Sequence, residues 1–179
     1  MSFEDVLTFW FVELTPAQWF KTDAALDTDI KRRFEGLHLA LSSQVPADCR
    51  GNARGVLAAV IVLDQFPRNM YRGTARAFAS DGAALSVASD AIAKGLESAL
   101  TEQERQFLYL PFEHAEDRAA QARSVALYEA LGDADALDYA RRHKAIIDRF
   151  GRFPHRNAIL GRASTADELA FLKEPGSSF

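Results

Sequence analysis

Two short phrases in the sequence place planar, multi-donor side chains where a helix is expected to end. The first is Asp64-Gln65-Phe66-Pro67-Arg68-Asn69, followed by Met70-Tyr71-Arg72, and the second is Asp148-Arg149-Phe150-Gly151-Arg152-Phe153-Pro154-His155-Arg156-Asn157. Each follows an apolar helical stretch. Because proline lacks a backbone N–H and disfavours helical conformation in the residue before it, each phrase predicts a helix end and a sharp turn. Guanidinium groups match carboxylate or phosphate bidentately, so both turns are candidate anion-binding loops.

A cluster of acids lies between the two phrases. Glu113, Asp117 and Gln121 are spaced at i, i+4 and i+8, and they share one helix face if the helix resumes after Pro111. His114 lies beside that stripe. Like charges at i, i+4 repel, so the pair favours a cation, a shared proton or a metal nearby. The arginines of the two phrases are the cations expected to approach it.

This pattern has two interpretations, which the sequence leaves open. In the first, the arginines and acids form an ion-pair network that clamps two helix ends to a third helix. In the second, they line a polar cleft that binds a small anionic ligand or an acidic peptide end. The ligand-binding residues predicted on the second interpretation are Arg68, Asn69, Arg72, Glu113, His114, Asp117, Arg149, Arg152, Arg156 and Asn157.

Two other classes of function remain as alternatives. One is a hydrolase with Glu113, Asp117 or His155 as base and the arginines as oxyanion stabilisers. The other is a scaffold that binds protein partners through its helical surface. Because the run Phe9-Trp10-Phe11 cannot bury all its faces against one neighbour, a homodimer surface or a groove wall is also an expectation.

The sequence predicts no metal and no cofactor. The paired Glu-x-x-His motifs of di-iron helical bundles are absent, and so are a Gly-rich phosphate loop, a Gly-x-Ser-x-Gly elbow and a Cys-x-x-Cys motif.

Composition narrows the class of protein. The 179 residues are 48% hydrophobic and 26% charged, as in ordinary soluble globules, and fit one domain spanning residues 1–179. A net charge of −4 argues against nucleic-acid binding and against a membrane surface as partner. The acidic start is unlike a signal peptide, and the longest apolar run, from Gly55 to Leu63, is far shorter than the ~20 residues that span a bilayer. Cys49 is the only cysteine, which suits a reducing cytoplasm.

Residues that commonly begin or end helices recur along the whole sequence. The predicted starts lie at Ser2, Thr15, Asp27, Asn52, Ser80 or Asp81, Thr101, ahead of Ala136, and at Thr165. The segment from Asp117 to Leu131 is predicted to continue the helix after Pro111. Gly132 and Gly151 are predicted to close helices, and Pro111 to kink or restart one. No stretch alternates with period two, so no sheet is expected. About eight antiparallel helices with short loops predict an all-α domain.

Several long motifs resemble those of a bacterial family known as domain of unknown function 924. They are Leu63-Asp64-Gln65-Phe66-Pro67-Arg68-Asn69, Phe107-Leu108-Tyr109-Leu110-Pro111-Phe112-Glu113-His114, Arg149 to Asn157, Leu160 to Thr165 and the Trp19-Phe20 pair. The resemblance covers nearly the whole chain. It implies an all-helical, tetratricopeptide-like fold and no established activity.

Overall fold

The computed structural model describes residues 2–178, which are helical with no strand. The α-helices are α1 (Phe3–Thr8), α2 (Pro16–Trp19), α3 (Ala24–Ser43), α4 (Ala53–Val60), α5 (Phe66–Met70), α6 (Asp81–Ala93), α7 (Glu102–His114), α8 (Arg118–Leu131), α9 (Ala134–Phe150) and α10 (Ala166–Phe171). The all-α prediction is therefore confirmed, while the tetratricopeptide-like arrangement stays a prediction. None of these helices is long and apolar enough to cross a membrane.

The chain divides into two compact units. The first holds residues 2–72 and 76–111, and the second holds residues 73–75 and 112–178. That residues 1–179 form one domain stays a prediction.

Most helix ends lie where local sequence signals placed them. The capping boxes at Thr101 and Thr165 are present, each with a glutamate three residues later that bonds the cap residue's backbone N–H. Gly132 and Gly151 adopt the left-handed conformation that closes α8 and α9, with φ of 82° and 72°. These signals act over four residues, so they do not depend on distant packing.

The core of the first unit is built around α4 and the residues that continue it. Every residue from 56 to 63 is at most 1% exposed, as expected for a helix that is apolar on all sides. Phe9 and Trp10 are also buried, and Trp10 packs edge-on against Phe107 at 5.6 Å between ring centroids. The homodimer surface expected from this aromatic run stays a prediction.

Pro67 does not stop the central helix, so the prediction for the first phrase was wrong. Residues Ile61–Gln65 form a π-turn, and α5 follows directly with Pro67 in its first turn. The proline is tolerated there because the π-turn has already shifted the backbone hydrogen bonding at Phe66, and Ser80 donates to the Leu63 carbonyl, four residues before Pro67. The second phrase behaves as predicted, since α9 ends at Phe150 and Gly151 turns the chain.

Asp27 does not begin a helix either. Asp23 caps α3 by accepting hydrogen bonds from the backbone N–H groups of Ala25 and Leu26, so Asp27 lies inside the first turn. Its carboxylate instead accepts hydrogen bonds from Asn69 and Arg72 of the first phrase.

The predicted stripe of Glu113, Asp117 and Gln121 on one helix face was wrong. The helix α7 continues through Pro111 but ends at His114, and Asp117 caps the separate helix α8 by accepting from the Ala120 N–H at 2.7 Å. Gln121 lies in α8, fully buried, and its Nε2 donates to the carbonyls of Glu113 and Ala115. The glutamine therefore satisfies carbonyls that the end of α7 leaves without backbone donors.

Candidate ligand-binding site

The π-turn before Pro67 leaves backbone carbonyls in need of donors. The Phe66 N–H bonds to the Ile61 carbonyl, five residues back, instead of to Val62. Pro67 has no N–H to offer to either Val62 or Leu63. Because a buried carbonyl without a partner costs free energy, side chains are expected to supply the missing donors.

Two side chains lie against these carbonyls, and a third donates to the neighbouring Asp64 carbonyl. His38 Nδ1, on α3, lies 3.1 Å from the Val62 carbonyl, and Ser80 Oγ donates to the Leu63 carbonyl at 2.6 Å. Arg68 donates to the Asp64 carbonyl. The π-turn is thus held by α3, by the residue before α6 and by its own phrase. π-turns of this kind occur frequently at functional sites.

Beside this turn the first unit contains a half-open cavity of about 220 Å³. We call it the His38 pocket, and its lining residues are His38, Leu39, Ser42, Tyr71, Arg76, Ala79, Ser80 and Ala83. His38 is only 5% exposed, and burial lowers the pKa of its imidazole below the ordinary value. The ring is therefore neutral at neutral pH and needs no counter-ion.

The edge of the His38 pocket carries more positive than negative charge. Arg76 stacks on the Tyr71 ring, with Cζ 3.9 Å from the centroid, and Lys31 Nζ lies 5.8 Å from the same centroid. Both cations share one carboxylate, Glu35, at 3.9 and 4.0 Å, and Glu35 also accepts a hydrogen bond from Tyr71. Burial, followed by that bond to Glu35, raises the pKa of Tyr71, so the phenol stays protonated.

The basic residues of the first phrase itself, Arg68 and Arg72, are bound to acids. Arg68 donates to both carboxylate oxygens of Asp81, at 2.9 and 3.0 Å, and lies 3.5 Å from the fully buried Asp64. Arg72 forms a two-point contact with Asp27, to which Asn69 also donates at 2.8 Å. These contacts are ion pairs, as one interpretation predicts, but their acids are Asp64, Asp81 and Asp27, whereas the predicted partners were the acids of the Glu113 to Asp117 segment.

The second phrase, in the second unit, also contains an arginine bound to an acid. Arg152 donates to both oxygens of Glu168, at 2.6 and 2.8 Å, and holds the pKa of that carboxyl at about 2. Asn157 donates to Ser164 and accepts from Arg162. Arg149 lies over the rings of Phe150 and Phe171.

The structure also brings several predicted residues together around α9. Glu113 Oε1 lies 3.2 Å from His143 Nδ1, and the His114 ring lies 6.3 Å from the His143 ring. Arg156 is 6% exposed, donates to the His114 carbonyl at 3.0 Å and stacks on Phe153. Burial lowers the pKa of His143, with the charges of nearby His114 and Arg156 acting in the same direction.

His155, a candidate base, lies in the same part of the second unit. Burial, with a smaller contribution from Arg156, lowers its pKa to about 4. At neutral pH the imidazole is thus uncharged and weakly basic.

A family model described as "bacterial protein of unknown function (DUF924)" matches residues 6–176. The chain belongs to this family. A solved structure of a protein of unknown function from Agrobacterium tumefaciens is similar to it, with 42% sequence identity, a TM-score of 0.91 and 96% of each chain covered. No curated protein matches the sequence significantly. The resemblance drawn from the motifs is therefore confirmed, and it assigns no activity within this family.

Sequence reasoning missed His38, and a signal for it was present. The spacing of Ile30, Phe34, Leu37 and Leu41 predicts that these four apolar side chains share the buried face of α3. In the structure the buried series is Ile30, Phe34, His38 and Leu41, whereas Leu37 is half-buried. The spacing i, i+4, i+8 from Ile30 puts a histidine in a core position, where a polar side chain requires a hydrogen-bond partner.

Proposed function

We propose that the protein binds a small anionic ligand in the His38 pocket. The observation that supports this best is the weak pairing of Arg76 with an acid. The Arg76 side chain lines the cavity and is 59% exposed. Its ion pair with Glu35, at 3.9 Å, is too long for a hydrogen bond. Among the described residues of the two phrases, Arg68, Arg72 and Arg152 instead make two-point contacts with carboxylates.

The charge and size of the pocket support a small ligand. Two cations against one carboxylate leave a positive excess beside Tyr71, which favours a ligand of opposite sign. A cavity of about 220 Å³ is smaller than the roughly 300–1,000 Å³ pockets that hold drug-sized molecules. A small carboxylate or phosphate fits these properties better than a long acidic peptide does. The hydrolase and scaffold interpretations stay predictions.

Replacement of Arg76 by glutamine tests the proposal. Acetate, malonate, inorganic phosphate and sulfate would be titrated against the parent protein, with the melting temperature and then calorimetric affinity as readouts. A ligand that binds only the folded state raises the melting temperature. Loss of a charge-assisted hydrogen bond in Arg76→Gln should weaken the best anion roughly 10- to 100-fold.

The matched control is Arg32→Gln. Arg32 is an exposed arginine of the same unit, 73% exposed and paired with Asp29, and it does not line the pocket. Neither substitution should change stability by more than about 0.5 kcal/mol, because both side chains are exposed. If anions stabilise the parent and both variants equally, the effect is a general salt effect and the proposed site is wrong.

A further inference from the structure

The hydrogen bond to Val62 fixes the tautomer of His38. A carbonyl oxygen can only accept, so Nδ1, at 3.1 Å, must carry the proton. In a neutral imidazole the other nitrogen, Nε2, then holds a lone pair. The π-turn therefore determines which nitrogen of the ring is protonated, because that turn and Pro67 together leave the Val62 carbonyl without a backbone donor.

The Nε2 lone pair is available to a ligand. Ser42 Oγ lies 3.5 Å from each ring nitrogen, longer than the roughly 2.7–3.2 Å typical of protein hydrogen bonds, so this long contact to Nε2 is one that a better-placed ligand donor can replace. His38 is only 5% exposed, and it lines the cavity. A buried acceptor in such a position favours a ligand that brings a donor.

We propose that the ligand of the His38 pocket is a short hydroxycarboxylate. This rests on the anion-binding function proposed above. The carboxylate would contact Arg76, the hydroxyl would donate to His38 Nε2, and a short hydrocarbon part would pack on Leu39, Ala79 and Ala83. An amino acid would bring an ammonium group close to Arg76 and Lys31, where like charges oppose it.

Matched ligand pairs test the inference on the parent protein. Isothermal titration calorimetry at pH 7.5 would compare lactate with propionate and 3-hydroxybutyrate with butyrate, with alanine as the ammonium analogue. At least one hydroxylated member should bind roughly 3- to 10-fold more tightly than its deoxy partner, the range of one net hydrogen bond. Alanine should bind more weakly than lactate.

The variant His38→Asn separates the hydroxyl contact from the rest of the site. Asparagine keeps a side-chain N–H near the position of Nδ1, where it can still donate to the Val62 carbonyl, but it has no group at the position of Nε2. We expect this variant to bind propionate as the parent does and to lose the preference for the hydroxylated ligand.

A spectroscopic readout keeps the test independent of that variant's folding. Long-range ¹H–¹⁵N NMR of the parent should show His38 in the Nδ1–H tautomer, with the Nε2 resonance moving on addition of lactate and much less with propionate. Equal affinity for hydroxylated and deoxy ligands, with binding still dependent on Arg76, would overturn the inference and leave the proposed function standing. A preference for alanine over lactate would overturn it too. If no carboxylate or phosphate binds the parent, both proposals fail.

Discussion

Arg68→Met is expected to lower the free energy of unfolding by about 3–5 kcal/mol, the usual cost of breaking a buried ion pair from one side. The substitution keeps the apolar stem and removes the guanidinium from two acids, Asp64 at 0% side-chain exposure and Asp81 at 17%. It also removes the donor to the Asp64 carbonyl at the π-turn. Urea-induced unfolding of the variant and the parent measures the difference.

Two further variants test whether the loss of stability comes from a buried charge left without its partner. Arg76→Met, at a side chain 59% exposed, should change stability by no more than about 0.5 kcal/mol. If the cost comes from a buried negative charge, the double variant Asp64→Asn with Arg68→Met should be more stable than Arg68→Met alone. A loss below about 1 kcal/mol for Arg68→Met would show that solvent screens this pair as it does surface salt bridges.

Acid is expected to destabilise the protein below pH 6.5, in part through His155. Its pKa is about 4 in the folded protein, against about 6.5 in an unfolded chain. Between these values the unfolded state binds the extra proton, so the stability from the neutral imidazole is fully present above pH 6.5 and is lost as pH falls towards 4. The contribution amounts to roughly 2–3 kcal/mol between pH 7 and pH 4.

The slope of unfolding free energy against pH measures this contribution. His155→Gln should flatten the slope between pH 6.5 and 4 by up to one proton, whatever its effect on stability at pH 7. Arg141→Gln is the control, because it removes an exposed charge paired with Glu129 and leaves the histidines in place. Acids with lowered pKa, such as Glu168, add losses of the same sign at lower pH in all three proteins. An unchanged slope in His155→Gln would contradict the assignment.

Much of the fold could be predicted because its signals are local. The capping boxes at Thr101 and Thr165 and the glycines at 132 and 151 act within one helical turn, and the structure places all four as expected. The error at Pro67 has a different origin. A proline ends a helix only if nothing compensates for the bonds that it removes, and for Pro67 the compensating donors come from His38 and Ser80, which are distant in sequence.

The candidate site was harder to predict for the same reason. Arg68 and Arg152, which the sequence predicts as ligand-binding residues, contact acids 13 and 16 residues away. No periodicity in the sequence reveals such partners. Arg76, the more weakly paired cation, lies outside the Phe-Pro phrases. His38 had a readable position on the buried face of α3, but the role of its ring depends on a carbonyl that only a π-turn leaves without a backbone donor.

The turn at Ile61–Gln65 also sets the direction of the residues that follow it. A π-turn contains one residue more than an α-helical turn, and each residue rotates a helix by roughly 100°. Arg68 and Asn69 meet Asp81 and Asp27 in the angular register that this additional residue creates. A deletion of one residue from the turn would rotate Arg68 and Asn69 away from these partners. Both contacts would be lost although neither side chain is removed.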